Sequence, residues 1–470
     1  MKTATFYSWL LSGLAATGGV SAQESARIEQ LQRQLKQLEA DWARQQEQIE
    51  ALKKQIQALQ PAPQTAPAAP PAAPVVPAEP APPRSLAAPL TLTGGPKSYV
   101  NLSLDGLFAG GTSTGSDLDA LQLGGHDPKQ RGFTAQNVEA VFEGAVDPYF
   151  RGQANIVFQI DSGGETRTEL EEVYLTTVAL PGNLQLKGGQ FYTEFGRLNP
   201  MHPHTWAFVD QPLVNGRFFG ADGLRNPGAR VSWLLPTPFY SELFLAVQNS
   251  QGETAHSFRS DQEGRPLFGR PVSAGTMHSV GDLLLAPRYA VSFDLTGTQT
   301  LLGGVSAALG PNGAGAATDT QIYGVDWYWK WKSATHHGGF PFVSWQTEGL
   351  VRRYEAAASS GPPGPGNPTG LLPAESLLDY GLYSQLAWGF HKGWVAGLRV
   401  DYVSGARGAF YPDPDRDTRW RVSPNLTWYP SEYSKVRLQY NYDARQNIGV
   451  DHSVWLQFEF LLGTHGAHRF

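Results

Sequence analysis

The sequence predicts an all-β fold, a transmembrane antiparallel β-barrel of about 16 strands, preceded by an N-terminal α-helical coiled coil. Three observations predict it. Beyond residue 99, segments of about ten residues alternate apolar and polar side chains. Short turns alternate with long polar loops, and apolar residues repeat at heptad spacing near the N-terminus. The 52 glycines and the 11% aromatic content are typical of many strands, tight turns and aromatic girdles.

The composition excludes several classes of protein. The 470 residues include no cysteine, so neither disulfides nor a cysteine metal site is available. The formal net charge of -6 gives no reason to expect a nucleic-acid partner. The mean hydropathy of -0.31 resembles that of a soluble protein. It does not exclude a membrane barrel, because barrel strands face lipid with only every second side chain.

Residues 1–22 are predicted to be a signal peptide. Lys2 supplies the positive start, residues 6–14 form a short apolar core, and residues 20–22 (VSA) form a small-residue cleavage site. We expect cleavage after Ala22. An uncleaved membrane anchor is the alternative, but the apolar core is too short for one.

Residues 23–60 are predicted to form a periplasmic coiled coil. Apolar residues follow alternating steps of three and four, and Gln45 alone breaks the pattern. The seam consists of Ile28, Leu31, Leu35, Leu38, Trp42, Ile49, Leu52, Ile56 and Leu59. Leu and Ile in the seam favour two helices, whereas the bulky Trp and the Gln suit a wider bundle. A lone amphipathic helix packed on the barrel is the alternative.

Residues 61–98 are predicted to be a Pro/Ala-rich linker. Residues 61–83 are nearly all Pro and Ala, which favours polyproline II over helix or strand. Such a linker would hold the coiled coil away from the membrane.

Residues 99–470 are predicted to form the outer-membrane β-barrel. In residues 435–443, one face carries Val436, Leu438, Tyr440 and Tyr442, and the other carries Arg437, Gln439 and Asn441. This alternation is typical of strands between lipid and a wet lumen. A soluble β-sandwich rarely needs so many strands, and we find no repeat of the length that a propeller requires.

The connections support the barrel. Short turns are predicted at 147–148, 181–183, 236–238, 296–299, 332–339, 391–393 and 430–434. Longer loops are predicted at 110–132, 192–228, 250–287, 356–375 and 404–418. Outer-membrane barrels have short periplasmic turns and long outer loops. The first strand then leaves the periplasm, where the coiled coil would lie.

Three short stretches resemble the phosphate-selective porin O and P family. Residues 189–196 (GQFYTEFG) look like its G-x-F-x-x-x-F-G stretch, and residues 169–174 (ELEEVY) look like the acidic-aromatic strand just before it. Residues 466–470 (GAHRF) are similar to the family's terminus, and Phe470 falls on the apolar face of the last strand. The resemblance implies a trimer of 16-stranded barrels, an N-terminal coiled coil and a preference for anions such as phosphate.

The loop 192–228 resembles, by position, the loop that constricts porin barrels. Its candidate constriction residues are Glu194, Arg197, Asp210, Arg217, Asp222 and Arg225. Inward-facing candidates on strands are Arg151, Lys187, Arg399 and Arg437. The inward charges have both signs, so an acidic early wall would face a basic late wall. The resulting transverse field would orient dipolar solutes.

Histidine pairs raise the question of a metal. His202 and His204 are weak candidate ligands, because a site needs further ligands and second-shell support. The pairs at 336–337 and at 465 and 468 fall in a turn and at the barrel end. We expect ordinary loop histidines, no metal and no cofactor.

The favoured function is an outer-membrane porin in a Gram-negative bacterium, allowing passive diffusion of small hydrophilic solutes. We find no His-Glu-x-x-His motif and no phosphate-binding Gly-rich loop, so we expect no enzyme. The alternatives are a receptor for a metal or metal chelate and a structural cell-envelope tether. The expected partners are outer-membrane lipid, two further copies of the chain, and peptidoglycan or a periplasmic partner for the coiled coil.

Overall fold

The structure is a computed structural model that describes residues 36, 90–94, 98–145, 147–161, 163–260, 267, 270, 272, 276–360, 369–407 and 416–463. The chain divides into two units, residues 1–82 and 83–470, and the strands that the structure describes lie in the second. The predicted signal peptide and coiled coil lie outside the described residues, apart from Lys36. So do residues 61–89 of the predicted linker and the terminal residues 464–470.

The second unit is a closed antiparallel barrel of 16 strands, as the sequence predicts. The strands are β1 (Leu90–Gly94), β2 (Tyr99–Ser113), β3 (Gly132–Ala145), β4 (Phe150–Ile160), β5 (Thr166–Thr177), β6 (Leu184–Tyr192), β7 (Arg225–Leu234), β8 (Tyr240–Asn249), β9 (Leu283–Thr296), β10 (Gln299–Pro311), β11 (Asp319–His337), β12 (Phe340–Ala356), β13 (Ser359–Ser360), β14 (Leu371–Leu372), β15 (Glu375–His391), β16 (Trp394–Arg407), β17 (Arg419–Ser431), β18 (Ser434–Arg445) and β19 (Gly449–Leu462). The barrel contains β2–β12 and β15–β19, each hydrogen-bonded to its neighbours in chain order.

The barrel closes where the last strand pairs with β2, and Phe458 lies opposite Phe108. The short β1 lies inside the segment predicted to be linker and pairs with the start of β2. β13 and β14 form a small separate hairpin in a loop. Among the described residues of the second unit, the helices are α1 (Leu118–Leu121) and α2 (Leu213–Phe219), with 3-10 turns at Pro181–Asn183, Pro203–Thr205 and Val280–Asp282. Among the described residues, no helix is long and apolar enough to cross a bilayer.

The connections differ at the two ends of the barrel. The turn end has tight connections such as 297–298, 338–339 and 392–393, whereas the loop end carries 114–131, 193–224 and 250–282. The predicted turn at 332–339 is too long, since β11 continues to His337. The reversal there needs two residues with positive φ, and Gly338 and Gly339 supply it.

The outer face of the barrel is apolar. On β18 and β19, Leu438 and Leu456 are each 51% exposed, while the alternate residues Gln439 and Gln457 are buried. Exposed aromatic rings near the turn end are Phe150, Trp233, Phe239, Phe293, Trp388 and Trp428, and those near the loop end are Phe133, Tyr323, Tyr380, Trp420 and Tyr440. An apolar band between two aromatic girdles matches the hydrocarbon layer of a bilayer and its two interfaces.

Candidate functional site

The connection 193–224, called the lumen loop below, turns inward from the loop end of the barrel. Its two ends lie side by side, because the Thr193 N–H donates to the carbonyl of Leu224 over 2.9 Å. The Asn199 side chain bonds both of these residues, at 2.8 and 2.9 Å, and fixes the neck of the loop. The segment beyond the neck contains the 3-10 turn Pro203–Thr205 and helix α2.

One side of the lumen loop packs through an apolar cluster. All residues of α2 are buried, and Phe218 is fully so. The cluster combines loop residues with inward residues of the wall, among them Ile322, Leu350 and Val403. Apolar side chains on the inner wall of a water-filled barrel would cost free energy, and the loop removes them from water.

The next part of the lumen loop contacts an acidic wall formed by β3 and β5. His202 Nδ1 lies 2.8 Å from Glu171 Oε2 and 3.2 Å from Glu139 Oε1, and its Nε2 lies 2.9 Å from Glu172 Oε2. His204 Nδ1 lies 3.1 Å from Glu139 Oε2. Burial alone would lower the pKa of His202, but Glu139 and Glu171 raise it well above its ordinary value.

A β-bulge builds this wall. Asn155 of β4 pairs with Glu172, whereas its neighbour Ile156 pairs with Leu170, so Glu171 is the extra residue. Without the bulge, strict alternation would turn Glu172 toward lipid together with Leu170. With it, Glu171 and Glu172 are both buried inside the barrel. The bulge therefore aims two consecutive carboxylates at the histidines of the loop.

The following part of the lumen loop contacts a basic wall on β16–β18. The Asp210 carboxylate accepts hydrogen bonds from Arg399 at 2.6 Å, Arg421 at 2.9 Å, Gln439 at 2.9 Å and Asn441 at 2.6 Å. Burial would raise the pKa of Asp210, but Arg399 and then Arg421 overcome this effect and lower it to about 2. Asp210 is therefore an anion held by four donors.

Wall side chains also hold the backbone of the lumen loop. Arg437 donates to the carbonyl of Trp206 at 3.0 Å, and Asn425 donates to that of Ala207 at 2.9 Å. The carbonyl of His204 accepts from Lys435. These contacts leave little freedom for the segment between the two walls, because its backbone has partners as well as its side chains.

Two other loops cover the lumen loop from the loop end. Asp127 of 114–131 accepts from the backbone N–H of Gln211 at 2.8 Å, and Ser257 of 250–282 donates to the carbonyl of Phe218 at 2.5 Å. Burial, and then the Asp210 charge, raise the pKa of Asp127 to about 6. The loops and the inward wall side chains together form a packed layer across the barrel.

The predicted loop candidates have different partners. Glu194 pairs with Arg230 at 2.6 Å, and the Lys187 amine of β6 lies 4.0 Å from the Glu194 carboxylate. Arg197 donates to Gln346 at 3.2 Å and stacks on the Tyr328 ring, 4.0 Å from its centroid.

The remaining candidates divide between the packed layer and the two ends of the barrel. Arg217 donates to the carbonyl of Asp417 at 2.9 Å, and Arg225 pairs with Glu169. Asp222 lines a cavity at the loop end. Arg151 is exposed near the start of β4 and is not part of the layer. The structure thus places Asp210 in contact with Arg399, and it places Arg437 in contact with the backbone of the lumen loop.

Comparison with known proteins identifies a relative by sequence and a type of fold by structure. No protein-family model matches the chain. An uncharacterized protein of Aquifex aeolicus (strain VF5) is 32% identical over 406 residues, which are 79% of this chain and 79% of that one. The chain belongs to the same family as this Aquifex protein.

Solved structures resemble the barrel of this family. The outer membrane channel DcaP of Acinetobacter baumannii has a TM-score of 0.50 at 13% identity, over 79% of this chain and 99% of that one. Salmonella typhi OmpF, in complex with daunomycin, has a TM-score of 0.46 at 10% identity, over 78% and 98%. At 13% identity the likeness to DcaP concerns the fold, which is of the porin type.

Several residues of the site in this family member were missed from sequence. Glu171, Glu172 and His126 were not site candidates, although the double Glu interrupts the alternation of β5 and could have signalled the bulge. The pair at 336–337 ends strand β11 and does not form a turn.

Residues 111–115 of the chain fit the Gly-x-Ser-x-Gly pattern of serine hydrolases, at the end of β2. The central Ser113 hydroxyl accepts from Ser453 at 3.0 Å and from the Gly115 N–H at 3.1 Å. Among the described residues, these hydrogen-bond partners of Ser113 include no imidazole. A strand running into a loop also differs from the strand–turn–helix that the hydrolase motif requires.

Proposed function

We propose that the protein is an outer-membrane channel of the porin type for small hydrophilic solutes, and that the lumen loop sets its permeability. The observation that carries the proposal is the loop clamped between an acidic and a basic wall inside a polar barrel. The apolar outer band supports a position in the bilayer. The channel does no covalent chemistry, since passage needs only a polar path and fixed charges.

The charges of the two walls support selection of solutes by the orientation of their dipoles more than selection of cations over anions or the reverse. The buried ionisable side chains on β3 and β5 are carboxylates, whereas β16–β18 carry the buried Arg399, Arg421 and Arg437. Phosphate selectivity, which the resemblance implies, has less support. Arg399 has Asp401 at 2.7 Å and Arg421 has Asp443 at 2.6 Å, so carboxylates already neutralise both. A solute with separated charges would align across such a lumen.

The N-terminal region extends the proposal into the periplasm. After removal of the signal peptide 1–22, residues 23–60 form a coiled coil that joins three barrels, and the Pro/Ala-rich linker sets its distance from the membrane. The heptad seam and the proline content support this arrangement. Peptidoglycan or a periplasmic protein is its expected partner. The phosphate-selective porin O and P family remains our narrower family proposal.

A structural tether is the second candidate, and the packed layer favours it. A barrel whose lumen stays closed would serve as an anchor for the coiled coil without passing solutes. A receptor for a metal chelate has less support, since a coiled coil and linker stand where a plug domain would be expected.

Planar-bilayer recording of the full-length protein tests the channel. We expect brief openings in groups of three, and a reversal potential in a salt gradient that shows only weak preference for cations or anions. A membrane that stays silent with both the wild type and a variant lacking the lumen loop would favour the tether. Near-ideal selectivity for one sign would contradict the two-wall arrangement.

A further inference from the structure

The acidic wall contains a cluster of carboxylates and imidazoles, Glu139, Glu171, Glu172, His126 and His202, with the features of a cation site. We propose that this cluster binds one divalent transition-metal ion, with Glu139, Glu171 and His202 as ligands and with His126 facing Glu171 beside them. The metal would join the lumen loop to β3 and β5. Its effect on permeability rests on the proposed channel function, whereas the site itself does not.

The geometry suits a transition metal. One ligand atom from each of Glu139, Glu171 and His202 lies within 4.8 Å of the others. A tetrahedral zinc with bonds of about 2.1 Å holds its ligand atoms about 3.4 Å apart. The nitrogen-to-oxygen distances of 2.8 and 3.2 Å at His202 Nδ1 would need to widen by about 0.6 and 0.2 Å to reach that value. Mixed imidazole and carboxylate ligands favour Zn²⁺, Co²⁺ or Ni²⁺ over Mg²⁺ and Ca²⁺.

The charge of the cluster calls for a cation. Glu139, Glu171 and Glu172 are buried, and their ion-pair partners among the described residues are histidines. A buried carboxylate without compensation is costly, and three of them lie within one small cluster. One divalent ion would compensate two of them without any proton.

His126 supplies a second, independent observation. It is 3% exposed, and its Nε2 has no hydrogen-bond partner, although it lies 3.7 Å from Glu171 Oε1. Its Nδ1 lies 3.3 Å from the carbonyl of Gln136, so Nδ1 is the donor of that contact and Nε2 is the nitrogen that faces Glu171. Nε2 is therefore placed to bind a cation at the edge of the cluster.

Neighbouring donors orient the carboxylate ligands. The Tyr192 hydroxyl donates to Glu171 Oε1 at 2.6 Å, and the Asn155 amide donates to Glu139. Hydrogen bonds of this kind fix the ligands of protein metal sites and raise their affinity. The sequence expectation that His202 and His204 are ordinary loop histidines took no account of these wall residues.

An acidic cavity lies at the loop end, and its lining includes Gly125 and Asp127 on either side of His126. Its volume is about 600 Å³, and it is lined by six acidic residues against Lys129 and Arg167. The acidic residues are Asp119, Asp127, Asp161, Glu169, Asp222 and Glu253. Such a cavity concentrates cations. Glu169 and Asp222 also lie with His126 in a second group whose ligand atoms are within 4.8 Å of one another, between the cavity and the cluster.

Metal binding by the full-length protein in detergent tests the site. After stripping with EDTA, calorimetric titration with Zn²⁺ should give about one ion per chain, and Mg²⁺ should not compete. Glu171→Gln and His202→Asn should each weaken binding at least tenfold, as expected for lost ligands. His256→Asn is the matched control, because His256 lies on another loop beside Arg352, a cation that disfavours metal. It should bind Zn²⁺ like the wild type.

Thermal unfolding of the wild type keeps the test independent of variant folding. Zn²⁺ at a hundredfold excess over its Kd should raise the unfolding temperature relative to EDTA, and Mg²⁺ should not. Absence of stoichiometric Zn²⁺ binding, or equal loss in the His256 control, would overturn the site. A barrel that conducts but binds no zinc would refute this inference alone, and one that binds zinc but never conducts would refute the channel alone.

Discussion

Replacing Asp210 by Asn should open the lumen. The side chain is fully buried and accepts from Arg399, Arg421, Gln439 and Asn441. Asn keeps the shape but removes the charge and half of the acceptor capacity. The substitution leaves the buried guanidinium groups of Arg399 and Arg421 with one carboxylate fewer as a partner.

The magnitude follows from the remaining partners. Breaking a buried ion pair costs about 3–5 kcal/mol. The lower value of about 3 kcal/mol applies here, because Arg399 keeps Asp401 and Arg421 keeps Asp443. Since about 1.4 kcal/mol is tenfold in an equilibrium, the ratio of open to closed loop should rise about a hundredfold.

Single-channel recording in planar bilayers measures this ratio as the open-time fraction. Glu253→Gln is the matched control, since it removes one carboxylate from an exposed position in the loop 250–282. We expect long openings for the Asp210 variant and wild-type records for the control. If the records of the Asp210 variant and the wild type do not differ, Asp210 does not hold the lumen loop closed.

Three further outcomes are expected. The pKa of Asp210 in the closed loop is about 2, below the ordinary 3.8, so Asp210 stabilises the closed loop fully above pH 4 and loses this effect as the pH falls toward 2. The open-time fraction of the wild type should therefore rise between pH 4 and pH 2, and a flat profile would contradict this. Leu456→Arg places a charge on the lipid face and should cost about 2–4 kcal/mol in urea unfolding from vesicles; an unchanged midpoint would argue against a lipid contact there. Phe218→Ala should cost about 3–5 kcal/mol of loop packing and speed trypsin cleavage after Arg217, and unaltered cleavage would show that the apolar cluster does not hold the loop.

The barrel could be predicted from sequence because lipid imposes a period of two on each strand. In β18, Leu438 and Tyr440 face outward and Arg437 and Gln439 face inward, so local alternation alone assigned both faces correctly. The predicted turns were also close to the observed ones, because tight reversals need Gly, Pro or Asn. The turn at 332–339 was too long because the polar end of β11 continues past the lipid face as a strand.

The contacts that hold the lumen loop between the two walls could not be predicted, because the residues that form them are far apart in the chain. Asp210 and Arg421 meet only after the barrel has closed, and no local pattern records that pairing. Alternation also misassigns the strand beyond a bulge, and for this reason Glu172 was not expected in the lumen. The alternation and the loop position named Arg399 and Asp210 as separate candidates, but they did not predict that the two side chains pair.

The most direct test of the clamp across the lumen is to remove the lumen loop and measure conductance. Thr193 and Leu224 are hydrogen-bonded neighbours, so an Asn-Gly turn in place of residues 196–221 can join β6 to β7 without straining either strand. We predict that single-channel conductance in planar bilayers rises several-fold over that of the full-length wild type. A conductance equal to that of the wild type would show that the loop does not control the passage.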